Sequence, residues 1–395
     1  MLHLIAGQAL AVKAVTLITA IAVSATLPPQ HDQSRAYDQA DLQHDADAVR
    51  DAGVVGVQAQ VVGPDGKSMI ATSGVADLRT RRPVPANGYF RIGSNNKTFV
   101  ATVILQLVSE GRLSLDDTVE QWLPGLVTGN GNDGGKMSVR DLLQHTSGIH
   151  DDYPYPTAIG SAKEYYQHRF DTFTPEQVVA RAMRHQPDFA PGERWSYANT
   201  GYALLGMIIK RVTGRLWHQE VEDRIIRPLG LRHTLWPGRS AKVPQPHARG
   251  YDFYSAKGKP TDVTEHRDAD ASGGLISTTA DLNRFFRALL GGKLLGRAEL
   301  AQMRHTVPVD EQTDRIWPGA RYGLGVFTRP LSCGGVSWGH GGDILGYMTR
   351  TGVSADGKLS VIVSMSSERK DSLDALLRQD KAAATLIDHV LCRKA

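Results

Sequence analysis

Two short groups of serine, lysine, tyrosine and asparagine have the residue types and spacing for acyl transfer. Ser94-Asn95-Asn96-Lys97 stands where the β-prone Phe90-Arg91-Ile92 meets the apolar stretch from Thr98 to Glu110. Residues i and i+3 share one face of a helix. The Ser94 hydroxyl and the Lys97 amine can therefore meet at a helix N-terminus, where free N–H groups and the helix dipole favour negative charge. A serine there can give up its proton, and an oxyanion can be held. An amine pressed against a core helix is driven towards its neutral form, which a basic partner for serine needs. The tetrapeptide alone is weak evidence, because Ser367-Glu368-Arg369-Lys370 repeats it and a serine at such a position also serves as an ordinary helix cap. Context separates the copies: the second precedes an amphipathic helix of surface type, whereas the first opens a stretch apolar on nearly every face.

Tyr197-Ala198-Asn199 lies in the loop Trp195 to Gly201 before a helical segment. It offers a phenol that can relay a proton and an amide that can bond both a lysine and a substrate carbonyl. A structural tyrosine followed by a capping asparagine would look the same. His340-Gly341-Gly342 ends the strand expected over Val336 to Gly339. Glycines let a substrate backbone approach a strand edge, and a donor histidine there can orient Tyr197 or the substrate. Gly335-Val336-Ser337-Trp338-Gly339 fits the G-x-S-x-G nucleophile elbow in letters only. That elbow needs a strand-turn-helix context, and here Ser337 falls inside a strand followed by glycines.

The elements that must position these groups come from both ends of the chain. Val54–Val62 and Ser68–Val75, joined by Gly63-Pro64-Asp65-Gly66, read as a β-hairpin. Thr98 to Glu110 reads as a buried helix stopped at Gly111, and Thr279 to Leu290 as a helix stopped by Gly291-Gly292. Short β-like runs follow at Tyr322–Arg329, Val336–Gly339, Gly346–Val353 and Leu359–Met365, close enough for an antiparallel meander. An amphipathic helix over Ser372–Leu391 closes the chain. The expected fold class is α+β. One catalytic domain spans 49–395, with a sheet lobe from 49–115 and 265–395 and a mainly helical, loop-rich lobe over 116–264.

The 395 residues carry 45 basic and 41 acidic side chains, mixed along the chain without a like-charge block that would bind nucleic acid. Ala14 to Ala25 is an apolar run preceded by Lys13 and ending in Val23-Ser24-Ala25, as in a secretion signal. It is shorter than the roughly 20 residues of a membrane span. Residues 1–25 are therefore expected to be a signal peptide and 26–48 a polar linker, giving an exported protein with no stable membrane anchor after cleavage. In that compartment the two cysteines, Cys333 and Cys392, pair, which stabilises the fold by about 4 kcal/mol in the chain-entropy account. Nothing in their surroundings points to a metal, and no cofactor is expected.

Taken together, the chain resembles the serine β-lactamase and penicillin-binding family, in the branch of class C β-lactamases and secreted D-Ala-D-Ala carboxypeptidases. Its three signatures, S-x-x-K, Y-x-N and H/K-x-G, occur in that order as Ser94/Lys97, Tyr197/Asn199 and His340/Gly342. Val139 to Gly148, Tyr322 to Gly325 and Leu331-Ser332-Cys333 match as well. The resemblance implies a β-lactamase/transpeptidase-like fold. It also implies Ser94 as nucleophile, Tyr197 and Lys97 sharing the base role, and backbone N–H groups of Ser94 and Asp343 as the oxyanion hole. Implied substrates are a peptidoglycan-type peptide, a β-lactam or a small acyl compound, with a D-Ala-D-Ala carboxypeptidase-like, penicillin-binding activity foremost. A β-lactamase, an esterase, a D-aminopeptidase or an acyltransferase on the same scaffold is the alternative, and a non-catalytic binding protein the remaining one.

Three positions depart from the peptidase pattern. Where such enzymes are expected to bind a terminal carboxylate, this chain has Gly341, Asp343 and Phe327. Two like unit charges about 5 Å apart repel by roughly 3 kcal/mol at an effective dielectric of ~20, so Asp343 disfavours a carboxylate-ended substrate. Arg329, on the same strand face as Phe327, or Arg350 on the next strand can compensate. The substrate-side set is thus Gly341, Gly342, Asp343, Phe327 and Arg329.

Overall fold

Strand Ser360–Met365 is buried along its whole length. Successive side chains of a strand point to opposite faces, so such a run needs a covering layer on both sides. In the computed structural model, which describes residues 36–154, 160–255, 258–267, 270–369 and 371–393, both layers are present. Val361 and Val363 pack with Leu42, Val49 and Leu386 on one face. Ile362 joins Phe99, Ile104, Phe285 and Phe286 on the other, where the Phe99 and Phe285 rings stack at 3.6 Å. Each such side chain contributes about 1.5–3 kcal/mol on burial.

The sheet is assembled from both chain ends. Its order is Ser68–Gly74, Gly56–Val62, Ser360–Met365, Tyr347–Val353, Val336–Gly339, Phe327–Pro330, Arg321–Tyr322 and Val307–Pro308, with Gly342–Ile344 also paired to Tyr347–Val353. The opening hairpin pairs antiparallel from Gly56↔Gly74 to Val62↔Ser68, and Gly56–Val62 pairs on its other side with Ser360–Met365. The strand expected over Tyr322–Arg329 is two strands instead. Tyr322 faces Phe327 across a turn closed by Gly323 N–H donating to the Val326 carbonyl, with Gly325 in the left-handed region.

The expected linker over 26–48 is corrected in its second half, because Gln39–Asp51 is a helix with an Asp38/Asp41 capping box. Its polar composition conceals a stripe, Leu42, Ala46 and Val49, all fully buried and spaced as one helix face requires. Tyr37 donates to Asp45, and His389 of the closing helix, Leu373–Arg393, lies 3.0 Å from the same carboxylate. The two ends of the described chain are thereby fastened together, and Cys333–Cys392 ties the closing helix to the meander. The apolar run at 14–25 lies outside the described residues. Between Val119 and Leu229 the chain is mainly short helices, with Asn199–Thr213 the longest of them.

Candidate active site

Ser94 sits in a single 3₁₀ turn, Gly93–Asn95, that runs directly into helix Asn96–Ser109. Gly93 has φ of 51°, and a Cβ there would lie 3.0 Å from the Asp343 backbone nitrogen. Glycine is required on both counts. The two residues between Ser94 and Lys97 fix the turn: Asn95 accepts from Thr351 Oγ1 at 3.0 Å, and Asn96 donates to the Ala271 carbonyl. Lys97 is fully buried. Its Nζ lies 3.0 Å from Ser94 Oγ, 2.7 Å from Asn199 Oδ1 and 2.9 Å from the Ser272 carbonyl. An ammonium fills these three places with three N–H bonds. A neutral amine bonds Asn199 and Ser272 and turns its lone pair to the Ser94 hydroxyl.

Asn199 begins helix Asn199–Thr213, and its orientation is set by a residue the sequence reading passed over. Asp151 accepts from Asn199 Nδ2 at 3.0 Å, from Thr200 N–H at 2.9 Å and from Thr200 Oγ1 at 2.8 Å. With Nδ2 held there, Oδ1 must face Lys97. Tyr197 lies beside Ser94, and Lys97 Nζ stands 4.8 Å from its ring centre. Burial pushes the phenol well above its usual range, against an opposing pull from Ser94. It therefore rests protonated. His145, also missed, lies against the Tyr197 ring at 4.3 Å. Burial, reinforced by Lys97, holds it neutral, and its Nδ1 accepts from Ala198 N–H. The available signal for both was the Val139–Gly148 segment and the acidic pair that follows it.

On another wall the groups are charged. Asp343, with 42% of its side chain exposed, lies 2.7 Å from Arg350, which is 4% exposed. Arg350 also bonds Asp380 of the closing helix. Burial works against the Arg350 charge, but Asp343 and Asp380 outweigh it and raise its pKa. Asp380 in turn takes the Trp317 indole N–H at 2.9 Å and faces Arg329 at 3.5 Å. Trp317 packs over Gly341 and meets Phe327 edge-on at 4.8 Å.

Ser94, Tyr197, Asn199, Asp343, Phe327 and Trp317 surround one cavity of about 310 Å³, which His340 and Gly341 also border. Several expectations change. His340 Nδ1 is 2.5 Å from the Gly341 carbonyl and Nε2 is 3.0 Å from the Tyr322 hydroxyl. Burial lowers its pKa to about 3, so the neutral ring donates through Nδ1 and accepts from Tyr322. No ring N–H is left to orient Tyr197. Gly342 lies outside the cavity, because a Cβ there would meet the Ile92 carbonyl at 2.0 Å. Its role is to let the strand edge seat against the Ser94 turn. Arg329 does not border the cavity either, since its charge is turned to Asp380 and its plane lies over Trp317 at 5.0 Å. Ser367 of the second S-x-x-K copy accepts from Val55 N–H in the core, and Ser337 lies within strand Val336–Gly339.

Among the described residues, no three His, Cys, Asp or Glu side chains are grouped to hold a metal ion, and no helix is long and apolar enough to cross a membrane.

A D-stereospecific amidohydrolase from Streptomyces sp. superposes with a TM-score of 0.78 at 40% identity, covering 87% of this chain and 98% of that one. The D-amino acid amidase of Ochrobactrum anthropi SV3, in complex with L-phenylalanine amide, gives 0.76 at 26% identity, covering 90% and 99%. Penicillin-binding protein 4 of Amycolatopsis lactamdurans is 32% identical over 281 residues, 69% of this chain and 71% of its own length. Of two Bacillus subtilis penicillin-binding relatives, the chain spans only about half the length. Residues 30–385 match the Beta-lactamase family. With Ser94, Tyr197, Asn199 and His340 gathered round one cavity on a β-lactamase/transpeptidase-like fold, the chain belongs to the Beta-lactamase family of serine hydrolases.

Proposed function

We propose that the protein is an exported D-stereospecific amidohydrolase that cleaves amide or ester bonds through an acyl-enzyme on Ser94. The Ser94 proton passes to the Lys97 amine as Oγ attacks the carbonyl, and the backbone N–H groups of Ser94 and Asp343 receive the oxyanion. Tyr197, protonated at rest, hands its proton to the leaving nitrogen and recovers one through Lys97. Water then repeats the sequence on the acyl-enzyme. The cysteine pair and the apolar segment at 14–25 support export.

The observation that carries the choice of substrate is the Asp343 carboxylate on the cavity wall, bonded to Arg350. Arg350 offsets part of its repulsion for an incoming carboxylate, yet the cation is itself shared with Asp380. Among the described residues that border the cavity, no other Lys or Arg is left over for a substrate's terminal carboxylate. A neutral or cationic leaving side fits; a free C-terminal carboxylate does not. The similarity to D-amino acid amidases supports the same reading.

Matched D-phenylalanine amide, L-phenylalanine amide and D-alanyl-D-alanine test it. Turnover of the D-amide, at least tenfold above both others in kcat/KM and absent in Ser94→Ala, is the expected outcome; preferential release of D-alanine refutes it. The second reading, a penicillin-binding D-Ala-D-Ala carboxypeptidase, rests on the three signatures and the Amycolatopsis relative. A long-lived adduct of a fluorescent penicillin on Ser94, without amide turnover, would favour it.

A further inference from the structure

A second cavity, of about 410 Å³, opens beside the first, within the size range of small-molecule sites. Tyr153 borders both, and the separate segment 270–273 divides residue by residue: Ser272 and Gly273 border the first, Asp270 and Ala271 the second. Asp343, Trp317 and Phe327 border only the first. The second cavity therefore adjoins the Asn199 and Ser272 wall. Phe173, Met207, Trp217 and Trp236 make it largely apolar. Three polar atoms of its lining are buried and unbonded among the described residues, Asp270 Oδ2, His218 Nε2 and Arg267 Nε. Asp270 Oδ1 is consumed by Ser272 N–H and Oγ at 2.7 Å each, and the His218 ring is stacked on Trp236 at 3.6 Å. A buried acceptor without a donor is costly and calls for one from a ligand. Phe173 is 43% exposed at the rim and Leu216 is 42%, so the apolar lining continues outwards to solvent.

We infer that this cavity is a subsite for the residue preceding the D-amino acid in an N-extended peptide donor, with an aromatic or large aliphatic side chain among Trp217, Trp236 and Phe173 and an N–H on Asp270. The inference rests on the amidohydrolase reading, which sets the leaving group against Asp343 and sends the acyl side past Asn199. Substrates are then not limited to single D-amino acid amides. One extra residue adds a hydrophobic contact and a charge-assisted hydrogen bond, whereas a glycine there adds only the latter.

The test measures binding as well as turnover. With Ser94→Ala, calorimetric Kd values for L-phenylalanyl-D-phenylalanine amide and glycyl-D-phenylalanine amide are expected to differ at least tenfold in favour of the former. Phe173→Ala, at an exposed position that does not endanger folding, and Trp236→Ala are each expected to reduce that ratio at least threefold. Both should leave D-phenylalanine amide turnover by the enzyme with Ser94 intact unchanged. Equal Kd values, or a ratio unaffected by both substitutions, overturn the subsite. Failure of the unsubstituted protein to turn over any D-amide would instead sink the amidohydrolase reading, while the Kd ratio would still decide the subsite.

Discussion

The Ser94 wall and the Asp343 wall of the same cavity are built in opposite ways. At Ser94, one helical turn supplies serine and lysine, and the remaining partners are neutral or locally held: Asn199, Tyr197 and a backbone carbonyl. At Asp343, four charged groups from separate strands and the closing helix balance one another, two acids against two arginines. The first arrangement fixes distances to within a hydrogen bond and leaves little freedom. The second sets a potential, which one substitution can invert. On the proposed reading, chemistry falls to the rigid half and substrate choice to the adjustable one.

Breaking the rigid half should cost most. Ser94→Ala is expected to lower kcat for a D-amino acid amide by about 10³-fold or more, measured with the folded state checked by circular dichroism; residual activity near the original level would remove Ser94 from the chemistry. Asp151→Ala comes next. It touches no reacting atom, yet it frees the Asn199 amide, and about a hundredfold loss in kcat with little change in KM is expected. A loss confined to thermal stability would mean that Asp151 only holds the loop.

The adjustable half should respond in selectivity rather than rate. Asp343→Thr removes the acid and leaves Arg350 with one partner fewer, so kcat/KM for a carboxylate-ended peptide should rise about tenfold relative to its amide-capped twin. An unchanged ratio would separate Asp343 from substrate choice. The smallest effect expected concerns His340, at the seam of the two halves. Its folded pKa, about 3, lies below the ordinary 6.5, so below pH 6.5 the unfolded chain takes up a proton that the folded one refuses. The stabilisation is complete above that pH and falls as the pH drops towards 3, reaching a loss of about 1.4 kcal/mol by pH 5.5. Urea midpoints at pH 7.5 and 5.5 should show this loss in the unsubstituted protein and a shallower one in His340→Gln.

The same contrast explains what could be read from sequence. Ser94, Lys97, Tyr197 and Asn199 lie in motifs whose partners sit one helical turn or one loop residue apart, so spacing alone exposes them. Helix Thr279–Leu290 and strand Val336–Gly339 likewise fall where their caps and glycines put them. Trp317 and Asp380 have no such local signature, and Asp151 only its place after the Val139–Gly148 segment, because each matters only through a contact made across the fold. Asp380 stands on a helix that reads as an ordinary amphipathic one, and only the packing of that helix against Tyr347–Val353 brings it to Arg350. Charge could be anticipated at Asp343, but not that Arg350 would be shared. Helix Gln39–Asp51 was hidden for a related reason, since its few apolar residues are decisive only because a partner helix waits for them.

Strand Ser360–Met365, inserted between the opening hairpin and the rest of the sheet, also dictates when the molecule can come into being. A ribosome must pass residue 365 of 395 before the hairpin has its neighbour, and the closing helix must follow before Arg350 meets Asp380. Until then the apolar Ser94 helix has no complete shelter, and contacts of such long sequence separation form slowly. Nascent chains should therefore be inactive and prone to association. Holdase chaperones should bind the chain stalled short of residue 360 and release it once the last strand and helix are in place.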